Sequence, residues 1–304
     1  MASDAIVPDF FIVGAPKCGT SALWQYLRRH PEVFMPDIKE LHFFGSDLNS
    51  PSFLRDRERY LGLFAGAWGK KRRGEASVWY LYSERAAREI RQFSPQARII
   101  VMLRNPLEMV HAYHSQRLYN GTEDLFDLKE ALRAEADRRL GLRLPHNPHP
   151  IVGLYYRQIA KYSAQVERYW AVFGPERVHI ILFDDFKRDT QRCFQRTLEF
   201  LDLPPLAAEG LGVVNPNREW RSESLRQLVQ APPEPLRTLA RCLLPSSELR
   251  RKLRRQVRLL ATRYRPRERM DTEVEQLLRA EYRDDVARLG ALLGRDLPRM
   301  WGMA

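Results

Sequence analysis

The chain has 304 residues, of which 44% are hydrophobic and 29% charged, and its formal net charge is +12 at pH 7. This length and composition suit a soluble globular protein with a sizeable core, and no apolar run approaches the roughly 20 residues that a membrane helix needs. The excess of basic side chains favours anionic ligands such as nucleotides, acidic substrates or acidic lipid, but does not by itself indicate nucleic-acid binding.

Cysteine content and the N-terminal sequence bear on the compartment. The cysteines Cys18, Cys193 and Cys242 are too few and too scattered for a disulfide framework or a metal site. This fits a reducing compartment. The apolar stretch over residues 10–13 is too short for a signal peptide. We therefore expect a cytoplasmic protein that binds no metal ion.

Strands and helices alternate along the first two thirds of the chain. Continuous apolar runs predict buried strands over Asp9–Gly14, Arg98–Leu103 and Val178–Phe183, with a further extended segment over Gly74–Tyr80. Helices are predicted from Thr20 to about His30 and over Glu84–Phe93, Leu107–Tyr119, Leu128–Leu140 and Tyr155–Phe173. This alternation predicts a three-layer α/β fold with a central parallel sheet flanked by helices. Ligands are expected at the carboxyl ends of the strands.

The last third of the chain has a different character. Prolines punctuate it from Pro204 onward, and Leu/Arg patterns typical of helices continue to residue 304. We predict a single domain over residues 1–304, with extra C-terminal helices and a helical cap or insertion over 232–268. Within that segment, Ser246–Leu260 has the pattern of a basic amphipathic helix, which suits a solvated surface or contact with acidic lipid.

The loop Gly14–Ser21 joins the first strand to the first helix. Backbone N–H groups of such a turn and of a helix N-terminus bind anions. Gly14 and Gly19 have the spacing of a Walker loop, but Thr20 occupies the position of the Walker lysine, and Lys17 lies inside the loop. A lysine there can reach the terminal group and the bridging oxygen of a short phosphosulfate. The loop therefore favours a donor that needs no metal ion.

Two motifs together resemble a known family. Pro16-Lys-x-Gly-Thr-Ser21 resembles the 5′-phosphosulfate loop of PAPS-dependent sulfotransferases, and Lys39-Glu-Leu-His-Phe-Phe44 is similar to the KE-x-HFF segment of the branch that includes heparan sulfate sulfotransferases and bacterial relatives. The resemblance covers most of residues 8–225. It implies that the sulfuryl donor is PAPS (3′-phosphoadenosine 5′-phosphosulfate). It also implies nucleotide contacts from Pro16, Lys17, Cys18, Gly19, Thr20 and Ser21.

A second nucleotide motif follows the second long strand. Arg104, at the carboxyl end of that strand, can bind a phosphate by a bidentate contact, and in the family this place carries the 3′-phosphate site. The family's serine, eight residues past the arginine, is Ala112 here, and Ser115 lies about one helical turn further on as a substitute donor. Arg221 lies in a segment that resembles the family's cofactor-covering loop.

Sulfuryl transfer needs a base for the acceptor's proton and positive charge on the leaving phosphate oxygen. Lys17 is the candidate for the positive charge. The segment from Glu75 to Tyr80 resembles the family's E-K-[ST]-x-x-Y, which implies Glu75 as the base. Ala76 replaces the usual lysine, so a second positive group is absent or comes from elsewhere. His42 is the second candidate base, because its ordinary pKa is near neutral.

These residues favour a PAPS-dependent sulfotransferase that acts on a hydroxyl or amine. Its acceptor is unidentified: an anionic compound, a carbohydrate, a lipid or a natural product. A P-loop small-molecule kinase is one alternative, in which Asp184 after the third long strand would bind a metal ion. A non-catalytic adaptor that binds polyanions is the other. Nucleic acid is not favoured as a partner. Peripheral membrane contact and the oligomeric state stay open.

Overall fold

The computed structural model describes residues 6–207, 218–222, 234, 246, 256–257, 260–264 and 267–303.

A five-stranded parallel sheet forms the centre of the fold. Its strands are β1 (Phe10–Gly14), β2 (Val33–Phe34), β3 (Arg72–Ala76), β4 (Arg98–Leu103) and β5 (Val178–Leu182). Their spatial order is β2-β3-β1-β4-β5. All of β1 and nearly all of β4 are buried, as continuous apolar strands require when both faces are covered. Because β1 lies between β3 and β4, the loop that follows β1 is flanked by the carboxyl ends of both neighbours.

Helices flank the sheet. Up to residue 200 they are α1 (Thr20–Leu27), α2 (Arg57–Gly62), α3 (Ala86–Phe93), α4 (Pro106–Asn120), α5 (Leu128–Arg133), α6 (Glu135–Arg139), α7 (Tyr156–Ile159), α8 (Ser163–Phe173), α9 (Phe183–Arg188) and α10 (Thr190–Phe200). A short antiparallel pair, β6 (Arg218–Trp220) and β7 (Thr262–Tyr264), precedes the C-terminal helices α11 (Thr272–Leu293) and α12 (Leu297–Met300). The predicted α/β fold with a central parallel sheet and extra C-terminal helices is confirmed.

The predicted helix Tyr155–Phe173 is two helices in the structure. The chain leaves α7 after Ile159, and α8 begins at Ser163. The carboxylate of Asp285, in α11, accepts hydrogen bonds from the backbone N–H of Tyr162 (2.8 Å) and from the hydroxyl of Ser163. A carboxylate at this place satisfies N–H groups at the start of a helix. The prediction was wrong here because the capping group comes from residues far along the chain.

The predicted helix Leu128–Leu140 is also divided, at Ala134, into α5 and α6. In α6 the side chain of Arg138 is fully buried and donates two hydrogen bonds, each 2.7 Å long, to the carboxylate of Glu123. The hydroxyl of Tyr156 donates to the same carboxylate at 2.8 Å. The break lets α6 place Arg138 against this buried acid.

The extended segment predicted over Gly74–Tyr80 is displaced toward the N-terminus. Strand β3 ends at Ala76, after which the N–H of Ser77 donates to the carbonyl of Ile12 (3.0 Å) and a turn begins. This turn carries the chain away from the sheet at the carboxyl end of β1. The residues after Ala76 are therefore available to form a site.

Two predictions lie largely outside the described residues. They are the cap or insertion over 232–268 and the basic helix Ser246–Leu260. The single-domain organisation stays a prediction. In the part of the chain that the structure describes, no helix is both long and apolar enough to cross a membrane. The cytoplasmic location likewise stays a prediction.

Candidate active site

The loop Gly14–Ser21 leaves the end of β1 and is anchored to the neighbouring strand. The N–H of Ala15 donates to the carbonyl of Met102 in β4 (2.7 Å). Gly19 precedes α1 with a φ of 92°, and a Cβ at this position would lie 3.2 Å from the ring of Phe183. Glycine alone fits this turn without strain. The turn presents the first N–H groups of α1 to the loop, which is the arrangement that binds an anion.

Most side chains of this loop are buried or hydrogen-bonded to other groups of the protein. Cys18 is buried, its thiol donates to the carbonyl of Pro16 (3.3 Å), and burial raises the pKa of the thiol to about 12. Thr20 is buried at the start of α1, and its hydroxyl accepts a hydrogen bond from Lys39 (3.1 Å). Ser21 is half-buried. The main chain of the loop and the two hydroxyls are thus the groups suited to a phosphate.

The side chain of Lys17 is held by Gln116, a residue that no sequence motif indicated. Its Nζ donates to Oε1 of Gln116 in α4 at 3.0 Å. Burial, followed by the nearby charges of Arg267 and Arg104, lowers the pKa of Lys17 to about 8. The ammonium is therefore desolvated and surrounded by like charge. An anion on the loop would relieve both effects.

Arg104 lies at the carboxyl end of β4, as predicted, and touches the loop. Its Nη1 donates to the carbonyl of Lys17 (3.4 Å), and its guanidinium lies 4.7 Å from the centre of the Phe183 ring. Its Nε and Nη2 donate to Glu108, one helical turn on (2.9 and 2.6 Å). A phosphate that binds Nε and Nη2 of this guanidinium must displace the Glu108 carboxylate.

The residue after Arg104 connects the loop region to the C-terminal part of the chain. The side-chain amide of Asn105 donates to the carbonyl of Trp301 (3.3 Å). The indole N–H of Trp301, which is buried, donates to the carboxylate of Asp184 (3.0 Å). Asp184 was the metal-binding residue of the kinase alternative, and here it accepts a hydrogen bond from a buried tryptophan.

Four further residues bear on the predicted nucleotide contacts. Ala112 is buried, and the hydroxyl of Ser115 donates to the carbonyl of His111 in its own helix (2.9 Å). Arg221 is exposed, and its backbone N–H donates to the carbonyl of Ala261. The cofactor contacts predicted for Ser115 and Arg221 stay predictions. Half-buried Arg267 was missed, because nothing distinguishes it within an arginine-rich stretch.

Three side chains of the segment Lys39–Phe44 meet at the edge of the loop. Nζ of Lys39 donates to the hydroxyl of Thr20 at 3.1 Å and to Oε1 of Glu40 at 3.0 Å. Nε2 of His42 lies 3.7 Å from the other carboxylate oxygen of Glu40. Partial desolvation pushes the pKa of Glu40 up, but Lys39 and His42 outweigh it and hold this pKa well below the usual range. Glu40 therefore carries a full negative charge at neutral pH.

This segment is wound tightly and held by its neighbours. Glu40 and His42 have φ values of 66° and 51°, in the left-handed region that non-glycine residues rarely adopt. The N–H of His42 donates to the hydroxyl of Ser77 (2.9 Å), and that of Phe43 donates to the hydroxyl of Tyr80 (2.8 Å). Such conformations persist only where the surroundings impose them, and they cluster at functional sites.

Glu75, the predicted base, lies beneath this segment. It is 2% exposed, and its carboxylate accepts hydrogen bonds from the hydroxyls of Tyr60 (2.8 Å), Tyr80 (2.9 Å) and Ser77. Burial raises the pKa of Glu75 to about 7, although all three hydroxyls act in the opposite direction. Because Ser77 and Tyr80 in turn hold the N–H groups of the segment above, Glu75 anchors the site from below.

His42, the second candidate base, is buried as well. It is 4% exposed, and its ring packs against Phe53 with 4.5 Å between ring centres. Burial lowers the pKa of His42, so its imidazole is neutral at pH 7. A neutral imidazole beside Glu40 can orient that carboxylate. Glu40 itself was missed as a site residue, although it lies within the KE-x-HFF pattern.

Comparison with known proteins identifies the family. The family model described as "Sulfotransferase domain" matches residues 7–216. The chain belongs to the sulfotransferase family. This confirms the resemblance seen in the sequence and makes the protein a transferase of the EC 2.8.2 kind. The kinase and adaptor alternatives are set aside by this membership.

Relatives of this sulfotransferase include enzymes named for carbohydrates. Carbohydrate sulfotransferase 15 of Rattus norvegicus is 30% identical over 281 residues, which cover 73% of this chain and 49% of that protein. Bifunctional heparan sulfate N-deacetylase/N-sulfotransferase 3 of Homo sapiens is 25% identical over 210 residues, covering 66% of this chain and 23% of that protein. The chain thus spans about half or less of the length of these relatives.

Among solved structures, a sulfotransferase from Alicyclobacillus acidocaldarius is similar over nearly the whole chain. The two share 29% sequence identity and a TM-score of 0.71, and the match covers 97% of this chain and 99% of that one. The likeness therefore extends past the family domain into the C-terminal helices.

Proposed function

We propose that this sulfotransferase transfers the sulfuryl group of PAPS to a hydroxyl or amine of a carbohydrate and releases 3′,5′-ADP. When bound, PAPS supplies the sulfuryl group: its S–O bond to the 5′-phosphate breaks, the phosphate keeps the electron pair, and a new S–O or S–N bond forms to the acceptor. The observation that carries the proposal is the phosphate-binding loop with Lys17 on one side and Lys39 with Glu40 on the other.

The described residues fit a donor with two phosphate groups. The main chain of Gly14–Ser21 and the start of α1 suit the 5′-phosphate. Arg104 contacts the loop from β4, and Arg267 adds positive charge nearby, which suits the 3′-phosphate. Lys17 is placed to neutralise the charge that develops on the leaving phosphate oxygen. No metal ion is needed for any of these contacts.

For the base, the geometry favours Glu40 over Glu75. The side chain of Glu40 is 43% exposed at the edge of the loop, where an acceptor can approach. Glu75 has its oxygens occupied by three hydroxyl donors and lies out of reach of solvent. A general base must come within hydrogen-bond distance of the proton that it removes. We therefore assign proton acceptance to Glu40 and give Glu75 a positioning role.

A carbohydrate acceptor is supported by the relatives, which are named for carbohydrates and heparan sulfate. The net charge of +12 suits an acidic glycan. Lipid and natural-product acceptors from the sequence analysis become the alternatives that the acceptor assay distinguishes.

Two measurements test this function. The first is calorimetric binding of 3′,5′-ADP and of ATP, each with and without Mg²⁺. We expect 3′,5′-ADP to bind without Mg²⁺, and tight binding of ATP–Mg²⁺ with no affinity for 3′,5′-ADP would refute the proposal. The second is release of 3′,5′-ADP from PAPS in the presence of N-desulfated heparan sulfate, a neutral oligosaccharide or an anionic lipid. The carbohydrate assignment requires that a glycan accelerates release more than the lipid does.

A further inference from the structure

Lys39 occupies an unusual position for a lysine. Its side chain is only 12% exposed, whereas lysines are rarely buried unless they are paired. Its ammonium is shared between two functional elements, the hydroxyl of Thr20 in the phosphate loop (3.1 Å) and the carboxylate of Glu40 (3.0 Å). An ion pair between adjacent Lys and Glu residues can form in solvent. The pair therefore does not explain why the Lys39 side chain is buried against the phosphate loop.

The position of Thr20 shows what the ammonium can reach. Thr20 is the first residue of α1, and the N–H groups of that first turn are the ones that an anion on the loop would contact. An ammonium within hydrogen-bond distance of the Thr20 hydroxyl is therefore within a few ångströms of that anion. An ammonium has three N–H donors, of which two are used in these contacts. The third is available to a ligand.

The two lysines of the site approach from opposite sides of β1. Lys17 is held by Gln116 of α4, which follows β4. Lys39 comes from the side of β3, because the N–H of the next residue, Glu40, donates to the carbonyl of Ala76 at the end of that strand (2.8 Å). A donor that extends from the loop between these strands would have one ammonium on each side.

We propose that Lys39 binds the transferring sulfuryl group, as the second cation of the site beside Lys17. This inference rests on the proposed PAPS-dependent function. Lys39 contacts the outer oxygens of the sulfuryl group, while Lys17 contacts the bridging oxygen that leaves with the phosphate. The ammonium also holds Glu40, so the sulfuryl group and the proposed proton acceptor share one cation.

The test compares two nucleotides that differ in this sulfuryl group. The affinities of PAPS and of 3′,5′-ADP are measured by calorimetry without an acceptor, in wild type, Lys39→Met and Lys39→Arg. Loss of a charge-assisted contact predicts that Lys39→Met weakens PAPS binding about tenfold or more and changes 3′,5′-ADP binding less than about twofold. Lys39→Arg, which keeps the charge, should restore most of the PAPS affinity.

Two control variants are measured in the same way. Lys71→Met removes an exposed lysine just before the amino end of β3, away from the loop, and should bind both nucleotides as wild type does. Arg104→Met should weaken both nucleotides to a similar extent, because its contact is with the part that they share. Circular dichroism spectra and thermal unfolding verify that every variant is folded.

Three outcomes would overturn the inference. Equal weakening of PAPS and 3′,5′-ADP in Lys39→Met would show that Lys39 only shapes the loop through Thr20. Unchanged affinity for both would show that Lys39 does not meet the donor. If wild type binds neither nucleotide, the proposed function itself fails, and this result is distinct from the other two.

Discussion

Replacing Glu75 by glutamine separates a positioning role from a catalytic one through the pH dependence of stability. Glu75 is buried beneath the segment Lys39–Phe44, and its carboxylate accepts hydrogen bonds from Tyr60, Ser77 and Tyr80. Burial raises its pKa from an ordinary value of 4.5 to about 7. Glutamine has the same shape and carries no charge. The variant therefore removes the cost of ionising a buried group while keeping a side chain that can bind the hydroxyls.

The sign and size of the effect follow from proton linkage. Between pH 4.5 and 7 the folded protein holds a proton on Glu75 that the unfolded chain has lost, so the free energy of unfolding falls as the pH rises through this window. A pKa change from 4.5 to about 7 corresponds to about 3 kcal/mol. Below pH 4.5 wild type and Glu75→Gln should have similar stability. Above pH 7 the variant should be more stable by up to about 3 kcal/mol.

Urea denaturation from pH 4.5 to 8 measures this difference directly. Glu135 is also buried, and its pKa is likewise raised to about 7, so it adds a similar contribution to the wild-type curve. Subtracting the wild-type curve from that of Glu75→Gln cancels Glu135, which both proteins contain. Glu130→Gln, which replaces an exposed glutamate of α5, is the matched control and should leave the curve of wild type unchanged.

A difference between Glu75→Gln and wild type that does not vary with pH would refute this reasoning. It would mean that the Glu75 carboxylate is hydrated and ionises freely, which is the condition that a base facing the acceptor would meet. Turnover gives a second criterion. A positioning residue with an isosteric replacement should retain part of its kcat, whereas loss of kcat with unchanged stability would return Glu75 to the role predicted from the sequence.

Three further variants test other groups. Glu40→Gln should lower kcat about 100-fold or more, because it removes the proposed proton acceptor, while 3′,5′-ADP binding measured by calorimetry changes little. Arg138→Met should lower the free energy of unfolding in urea by about 3–5 kcal/mol, because Glu123 is left buried without its partner. Glu108→Gln should strengthen 3′,5′-ADP binding about two- to threefold at low salt, since it frees the guanidinium of Arg104 from a competing carboxylate.

For each of these variants, one result would contradict the prediction. Full turnover by Glu40→Gln with an active acceptor would exclude Glu40 as the base. Urea midpoints for Arg138→Met close to those of wild type would show that the Glu123–Arg138 pair is hydrated. Unchanged or weaker nucleotide binding by Glu108→Gln would place the phosphate away from Arg104.

The parts of the fold that depend on local sequence were predictable. The apolar run Arg98–Leu103 forms a strand with the predicted bounds, because a fully buried parallel strand needs apolar residues on both faces. The loop Gly14–Ser21 and its lysine were recognisable because their chemistry depends on spacing within a few residues.

Features that depend on distant residues were not predictable. The break before Ser163 requires the carboxylate of Asp285, which lies 122 residues further along the chain. The sequence also did not show which of two glutamates is enclosed by the protein. Glu40 and Glu75 are both followed by hydrophobic and aromatic residues, and only the hydroxyls packed around Glu75 show which carboxylate is enclosed.

The hydrogen bonds of Trp301 have a consequence for biosynthesis. Its carbonyl accepts from Asn105 beside the phosphate-binding loop, and its indole donates to Asp184 at the end of β5. A nascent chain that has emerged from the ribosome only as far as residue 216 contains the whole stretch that the family model matches, but lacks these two contacts. The contacts that tie the residues after β4 and β5 to the C-terminal helices must therefore form after translation has passed Trp301.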